Sequence, residues 1–426
     1  MTFRVDRRQF LMGSTALLAA GALSPVLAQD SSLRLLFWGS QARADRTYGV
    51  TDLYTKAGGP AVEGEFLAWN DYWPKLATQT AGGNAPDIIQ MDYRYIVEYA
   101  NRGAIAPMDE FVGSALQLAD FDADQLEGGK VGGKLYGISL GANSVALMIN
   151  TADFEKAGIP VPGPTTTSAD LPAMAEAFKA AGIEKKVIAD GSGSEPMFEN
   201  WLRQRGKALY TADGKLAWEV ADATEWFTMW ADFRAKGICV SAEDQALDTG
   251  PLETTMLTLG KASIIPSNSN QLVAFQAINQ DKLTISNFPR IAADAPGGHY
   301  RKPSMFFSIG GTAANKEAAA KLINFFVTSK EASLVLGVER GIPCSASVRE
   351  ALAPTLDKQS QTALNFVANL GDLLGALPPS PPAKAGEIDA SLFRTLSQEV
   401  GFGARTPEDA GNALFTGAND ILSRAS

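Results

Sequence analysis

The chain has 426 residues, with 37 Lys+Arg against 47 Asp+Glu, one histidine and two cysteines. A net charge of −10 without basic tracts argues against nucleic acid and anionic membrane as partners, because both are bound through clustered cations. The single histidine, His299, leaves little from which to build a zinc site or a Ser-His-Asp triad.

The first residues, "VDRRQFLMGSTALLAAGALSPVLAQD", pair Arg7 with Arg8, follow them with a mildly apolar run broken by Gly13 and Gly21, and close on Val26-Leu27-Ala28. That run is too short and glycine-interrupted for a good membrane span. It resembles a twin-arginine export signal, so cleavage is expected after Ala28, with a mature chain from near Gln29 in the periplasm. Segment 1–28 holds three arginines and one aspartate, so its removal takes the charge from −10 to about −12 (−10 minus +2). Some 400 remaining residues exceed what one core usually supports, and two lobes are expected. Cys239 and Cys344 stand far apart; an exported protein could bridge them, and two buried free thiols fit equally well.

In chain order, "LRLLFWG" (33–39) reads as a strand buried on both faces. "WNDYWPKLATQTAGG" predicts a helix capped by Asn70, with Pro74 in its first turn and Gly82-Gly83 as its stop. Ile88 to Met91 form a short apolar strand that ends on Asp92, and a helix is expected from Tyr93 to Gly103. "GGKVGGKL" (128–135) has the skeleton of a phosphate loop, but Leu135 stands where Ser or Thr would hold magnesium and a strand follows, so it predicts a glycine-rich turn. "GKLYGISLGANSVALMIN" reads as two strands around Gly141-Ala142-Asn143, and Trp201, Trp218, Trp226 and Trp230 as core within helical patterns. The turn-rich "DAPGGHYRKP" predicts an exposed loop for His299. A second strand block, "KPSMFFSIGGTAA", leads into one amphipathic helix, "NKEAAAKLINFFVTSKEA", with Ala319, Leu322, Ile323 and Phe326 on one face. "LPPSPPAKAGE" (377–387) predicts a surface connection between helices. The alternation of strand and helix is that of an α/β protein.

Four segments together resemble the extracellular solute-binding proteins of bacterial sugar ABC transporters, the family that includes the maltose-binding protein. They are "WNDYWPKLATQTAGGNAPDIIQMDYRYIVEYANRGAIAPMDEFV", "GKLYGISLGANSVALMINTADFEKAGI", "LGKASIIPSNSNQLVAF" and "KPSMFFSIGGTAANKEAAAKLINFFVTSKEASLVLGVERGIPCSASVREAL". The resemblance implies an α/β, two-lobe periplasmic binding protein fold with three interlobe crossovers and a hinged ligand cleft. It places the crossovers near Ser139 to Asn143, Met305 to Ser308 and Arg340 to Pro343, and makes the lobes 31–140 plus 308–339 and 141–307 plus 340–426.

In such sheets ligands bind beyond the carboxyl ends of strands, and sugars ask for planar polar groups beside aromatic platforms. The resemblance therefore implies ligand contacts from Trp38, Ser40, Gln41 and Arg43 after the first strand, and from Trp69, Asp92 and Tyr93. Further contacts are implied at Asn143 in the first crossover, Asn268, Ser269 and Asn270 in the second lobe, and Ser304, Phe306 and Arg340 in the later crossovers. Each has a plainer reading: Asp92 and Ser40 as helix caps, Phe306 as core, Arg340 as the partner of Glu339 or Glu331. Many relatives carry tryptophan where this chain has Asn268, which puts a stacking platform from the second lobe in doubt unless Trp201 or Trp230 substitutes. Arg43, Arg94, Arg301 and Arg340 keep an acidic sugar open, because guanidinium matches carboxylate. The implied role is a binding component that needs no cofactor or metal. It takes a mono- or oligosaccharide, acts as a monomer and delivers to ABC permease subunits in the inner membrane. An exported carbohydrate hydrolase, or the same fold with an opine, polyol or phosphodiester ligand, are the alternatives.

Overall fold

The structure is a computed structural model, which describes residues 32–424; the expected export signal lies outside them. Ten strands build two sheets: β1 (Leu33–Trp38), β2 (Val62–Leu67), β3 (Ile88–Met91), β4 (Ile105–Ala106), β5 (Ile138–Ser139), β6 (Val145–Asn150), β7 (Lys186–Ile188), β8 (Ala262–Asn268), β9 (Leu283–Ser286) and β10 (Phe306–Gly310).

The first sheet runs β2-β1-β3-β10-β4, with β5 also on β10. β1 is parallel to β2 and β3, while β10 returns antiparallel from more than 200 residues later, Phe306 opposite Met91. β1 is apolar except for Arg34 because both its faces are covered. Helices Gln41–Lys56 and Lys316–Thr328 pack on one face, and Trp69–Ala81 and Ile96–Asn101 on the other. β2, at the edge, alternates instead and stays half-exposed. The second sheet runs β7-β8-β6-β9, with β7 and β8 parallel and β6 antiparallel to both its neighbours. β6 shows the two-residue period in its packing. Val145, Leu147 and Ile149 meet Phe198, Trp201, Trp226 and Trp230, while Ala146 and Met148 meet Leu272 and Phe275.

Between the sheets, pieces of chain run side by side. Ala142 and Ile342 exchange both backbone hydrogen bonds (2.7 and 2.8 Å), Ser304 N–H donates to Gly141 O (2.8 Å) and Leu140 N–H to Met305 O (2.9 Å). Helix Ala346–Leu352 returns to the first sheet's side, where Arg349 meets Asp122 (2.8 Å) and Ser345 Oγ donates to Asp120 (2.6 Å).

Several local expectations are corrected. The helix at 69–81 begins one residue before Asn70, on an extended Ala68 without a side-chain cap; the Asn70 amide donates instead to Thr249 O (3.4 Å), and Pro74 falls in the second turn. The helix expected from Tyr93 starts at Ile96, because the Asp92 carbonyl accepts from both Tyr95 and Ile96 and holds 93–95 in a turn. The single helix 315–332 is two, broken at Ser329, whose hydroxyl caps the second by accepting from Ala332 N–H. His299 is not exposed but fully buried: its backbone pairs with Leu373 and Gly375, which draws the loop inward. Cys239 and Cys344 are both free and buried. The 128–135 stretch is the expected turn, a hairpin of Lys130–Val131 on Lys134–Leu135.

Candidate functional site

β1 and β8 end on Trp38 and Asn268, while Asp92 and Asp190 follow β3 and β7 by one and two residues. These carboxyl ends border a cleft between the sheets, the position at which open α/β sheets hold ligands. Two cavities lie along it, the larger walled by the second sheet's side alone and the smaller by both sides. The larger, about 280 Å³, is lined by Asp190, Asp248, Gln245, Ser267, Asn268 and Gln271, with Phe275 and Phe288 as apolar floor. The smaller, about 50 Å³, is lined by Asp92, Tyr93, Arg94, Glu195, Glu199, Tyr210, Tyr300 and Lys302, under Pro378 and Pro379. Pro196 borders both.

Several bonds cross the cleft. Arg94 donates to Asp389 (2.6 Å) and Glu195 (3.2 Å), and Tyr93 Oη donates to Pro378 O (2.8 Å). The proline-rich segment 377–387, expected as a plain surface connection, is half-buried because it lies over this junction; Lys384 N–H also reaches Glu98 (3.4 Å). Burial opposes the charge on Arg94, but Asp389, Glu195 and Asp92 outweigh it and hold the guanidinium well above its usual value. Burial pushes Glu195 up to about 8, with Arg94 pulling against it and Asp389 adding to it. Burial also raises Glu199, and the hydrogen bond from Tyr300 Oη (2.7 Å) draws it partly back.

The expected site residues divide into groups. Asp92 and Tyr93 line the smaller cavity and Asn268 the larger. Asp92 Oδ1 accepts from Arg94 N–H (2.9 Å), so the residue does cap its turn and keeps a second oxygen. Trp69, 36% exposed, is the outer member of an aromatic cluster; its ring meets buried Trp38 at 5.1 Å, and Trp73 meets Tyr95 at 4.0 Å. Gln41 is exposed and bonds Asp45 (2.8 Å); Ser40 caps its helix. The rest form a buried network where the crossovers meet. Asn143 donates to Asn270 (2.9 Å), Asn270 to Glu339 O (3.0 Å), and Arg43 to Glu339 (2.8 Å). Ser269 Oγ accepts from Ser144 N–H (3.2 Å), Ser304 Oγ donates to Arg340 O, and Arg340, 2% exposed, donates to Thr47 (2.7 Å). Phe306 is fully buried within the first sheet's core, and Trp201 and Trp230 within the second's.

Sequence reasoning missed Asp190, Asp248, Glu195, Glu199, Tyr300 and Lys302. Glu195 and Glu199 did carry a signal: they stand four apart on helix Glu195–Gln204, hence on one face. Among the described residues no group of three or more His, Cys, Asp or Glu is placed to hold a metal, and no helix is long and apolar enough to cross a membrane.

The family model for bacterial extracellular solute-binding proteins matches residues 50–363. An extracellular solute-binding protein family 1 structure from Alicyclobacillus acidocaldarius is 30% identical, covers 92% of this chain and 98% of that one, and superposes with a TM-score of 0.68. A periplasmic oligogalacturonide-binding protein of Yersinia enterocolitica, solved with saturated digalacturonic acid, is 23% identical over 92% of this chain and 99% of that one, with a TM-score of 0.82. A binding protein of Brucella abortus is 28% identical over 120 residues, so the match spans 28% of that curated relative's length. The fold is the two-lobe one of periplasmic solute-binding proteins, and the chain belongs to the bacterial extracellular solute-binding protein family.

Proposed function

We propose that this protein is the periplasmic substrate-binding component of an ABC importer, which takes a mono- or oligosaccharide into its cleft and delivers it unchanged to the permease subunits. The observation that carries this reading is the larger cavity at the strand carboxyl ends, where amides, hydroxyls and carboxylates surround an apolar floor. Export by the twin-arginine route, a monomeric state and the absence of catalysis belong to the same reading. The lobes are 31–140 with 308–339 and 141–307 with 340–426, except that helix Ala346–Leu352 keeps company with Asp120 and Asp122 of the first. Asp92, Tyr93, Asn268 and Trp69 are the ligand contacts we favour from the expected set; Arg43, Asn143, Ser269, Asn270, Ser304 and Arg340 act at the hinge.

The test separates the two roles of Asp92 while it looks for the ligand. Calorimetric titration with sugars should find a ligand that is recovered intact, whereas hydrolysis would favour the enzyme alternative. Asp92→Asn keeps the oxygen that accepts from Arg94 and should melt like the parent, while Asp92→Ala should lose about 1 kcal/mol of stability. A carboxylate hydrogen bond to a hydroxyl contributes roughly 1.5–3 kcal/mol, so Asn alone should weaken affinity about tenfold or more. An Asn variant that binds like the parent would reduce Asp92 to a turn residue.

A further inference from the structure

We infer that the cleft is built for an uncharged sugar and turns away sugars that carry a carboxylate; this rests on the sugar reading and adds the charge class of the ligand. The two cavities are lined by five carboxyl groups, Asp92, Asp190, Asp248, Glu195 and Glu199, of which burial holds Glu195 largely protonated at neutral pH, and by two cations, Arg94 and Lys302; the larger cavity has Asp190 and Asp248 and no cation in its lining. Recognition of an anionic sugar needs a guanidinium or ammonium group whose donors are free to form a fork on it. The arginines that kept such a ligand open in the sequence are already engaged. Arg43 is bound to Glu339 (2.8 Å), Arg94 to Asp389 and Glu195, and Arg301 to Asp122 (2.7 Å), while Arg340 is buried against Thr47. Arg234, behind the larger cavity, is paired with Asp190. That leaves Lys302, whose charge already acts on Glu199.

An incoming carboxylate would therefore lose its water beside groups of its own sign, which is unfavourable without a counter-charge. Hydroxyls meet the opposite situation, because they donate and the walls accept. Asp92 has one oxygen taken by Arg94 N–H and a second left over; Asp248 accepts from Gly250 N–H (3.0 Å) through one oxygen only. Asn268 borders the larger cavity, while its Oδ1 is shielded from solvent and shares a capping box with Gln271. The residue that replaces the expected tryptophan thus gives the wall a small amide in place of a stacking platform.

The experiment is calorimetric titration at neutral pH with matched pairs: galactose against galacturonic acid, glucose against glucuronic acid, and a neutral digalactoside against digalacturonic acid. In the pair that binds, the neutral member should be at least about tenfold tighter, since juxtaposed like charges cost at least that much. Asp248→Asn should narrow the gap by raising the affinity of the acidic member. An acidic member that binds as tightly as its neutral partner would overturn the inference and leave the sugar reading standing. An unchanged gap in Asp248→Asn, with neutral affinity intact, would also overturn it, because discrimination would then be steric. If no pair binds at millimolar concentration, the sugar reading itself falls and takes this inference with it.

Discussion

His299, the chain's one histidine, has both ring nitrogens in use. Phe288 N–H donates to Nε2 (3.3 Å), so that nitrogen carries no proton, and Nδ1 lies 3.3 Å from Ser144 Oγ, one residue past the first crossover. Burial lowers its pKa from 6.5 to about 4; a backbone bond at Val145 works against this and the charge on Arg203 adds to it. The sign follows from the proton count. Between about pH 6.5 and 4 the unfolded chain binds a proton at this position that the folded protein refuses, so stability must fall as pH falls through that window. The slope from this one group is at most ~1.4 kcal/mol per pH unit. Urea denaturation at several pH values in the window should show a shallower loss for His299→Gln than for the parent, whatever the variant's absolute stability. Equal slopes would mean the buried ring titrates normally. In the sequence this residue looked like loop decoration, because glycines and prolines around it signal a turn but not the packing of that turn onto Leu373 and Gly375.

The crossovers are the elements that decide whether the lobes can hinge, and two glycines set how closely they approach. A Cβ on Gly141 would stand 2.6 Å from the carbonyl oxygen of Arg340. Gly341, at φ +107°, would place one 2.7 Å from the carbonyl of Ala142, in a backbone region that favours glycine. Gly141→Ala must therefore push two backbones apart, at a cost of about 1–3 kcal/mol. It should also weaken ligand binding, because the shift passes into the Asn143–Asn270–Glu339 chain of hydrogen bonds. Gly163→Ala, where a Cβ meets nothing within 4 Å, is the control and should stay within about 0.5 kcal/mol of the parent. Denaturant midpoints of the two variants check the comparison; equal losses at both sites would remove the close approach as the cause.

For the whole molecule, the bridge from Arg94 to Glu195 and Asp389 ties the first sheet's side to the second's. Its side chains are largely shielded, at 20%, 10% and 22% exposure, so the surface-bridge discount applies only in part. Arg94→Ala removes the first lobe's tie to Glu195 and Asp389, both of the second lobe, and the loss of that tie should favour the open form. Apparent affinity falls in proportion to the closed population, so a loss of about tenfold or more is expected, since truncating one partner of a buried charge pair costs roughly 2–5 kcal/mol. Small-angle scattering of the unliganded variant should give a larger radius of gyration than the parent. A parent-like profile with parent-like affinity would show the bridge to be idle. The sequence by itself determined the elements whose signals are local. β1, β3, β6 and β10 were visible as short apolar runs, helix Lys316–Thr328 by its apolar face, and the 132–133 turn by its glycines. The family resemblance put Asp92 at a strand end beside a cleft, with capping as its plainer reading, and it does accept from Arg94 N–H. Only the tertiary structure decided what surrounds that residue. Arg94 finds Asp389 from 295 positions away and Glu195 from 101, and Tyr93 finds Pro378 from 285. Periodicity registers which face of a helix or strand is apolar, whereas the charge balance of a cleft depends on which distant side chains share it.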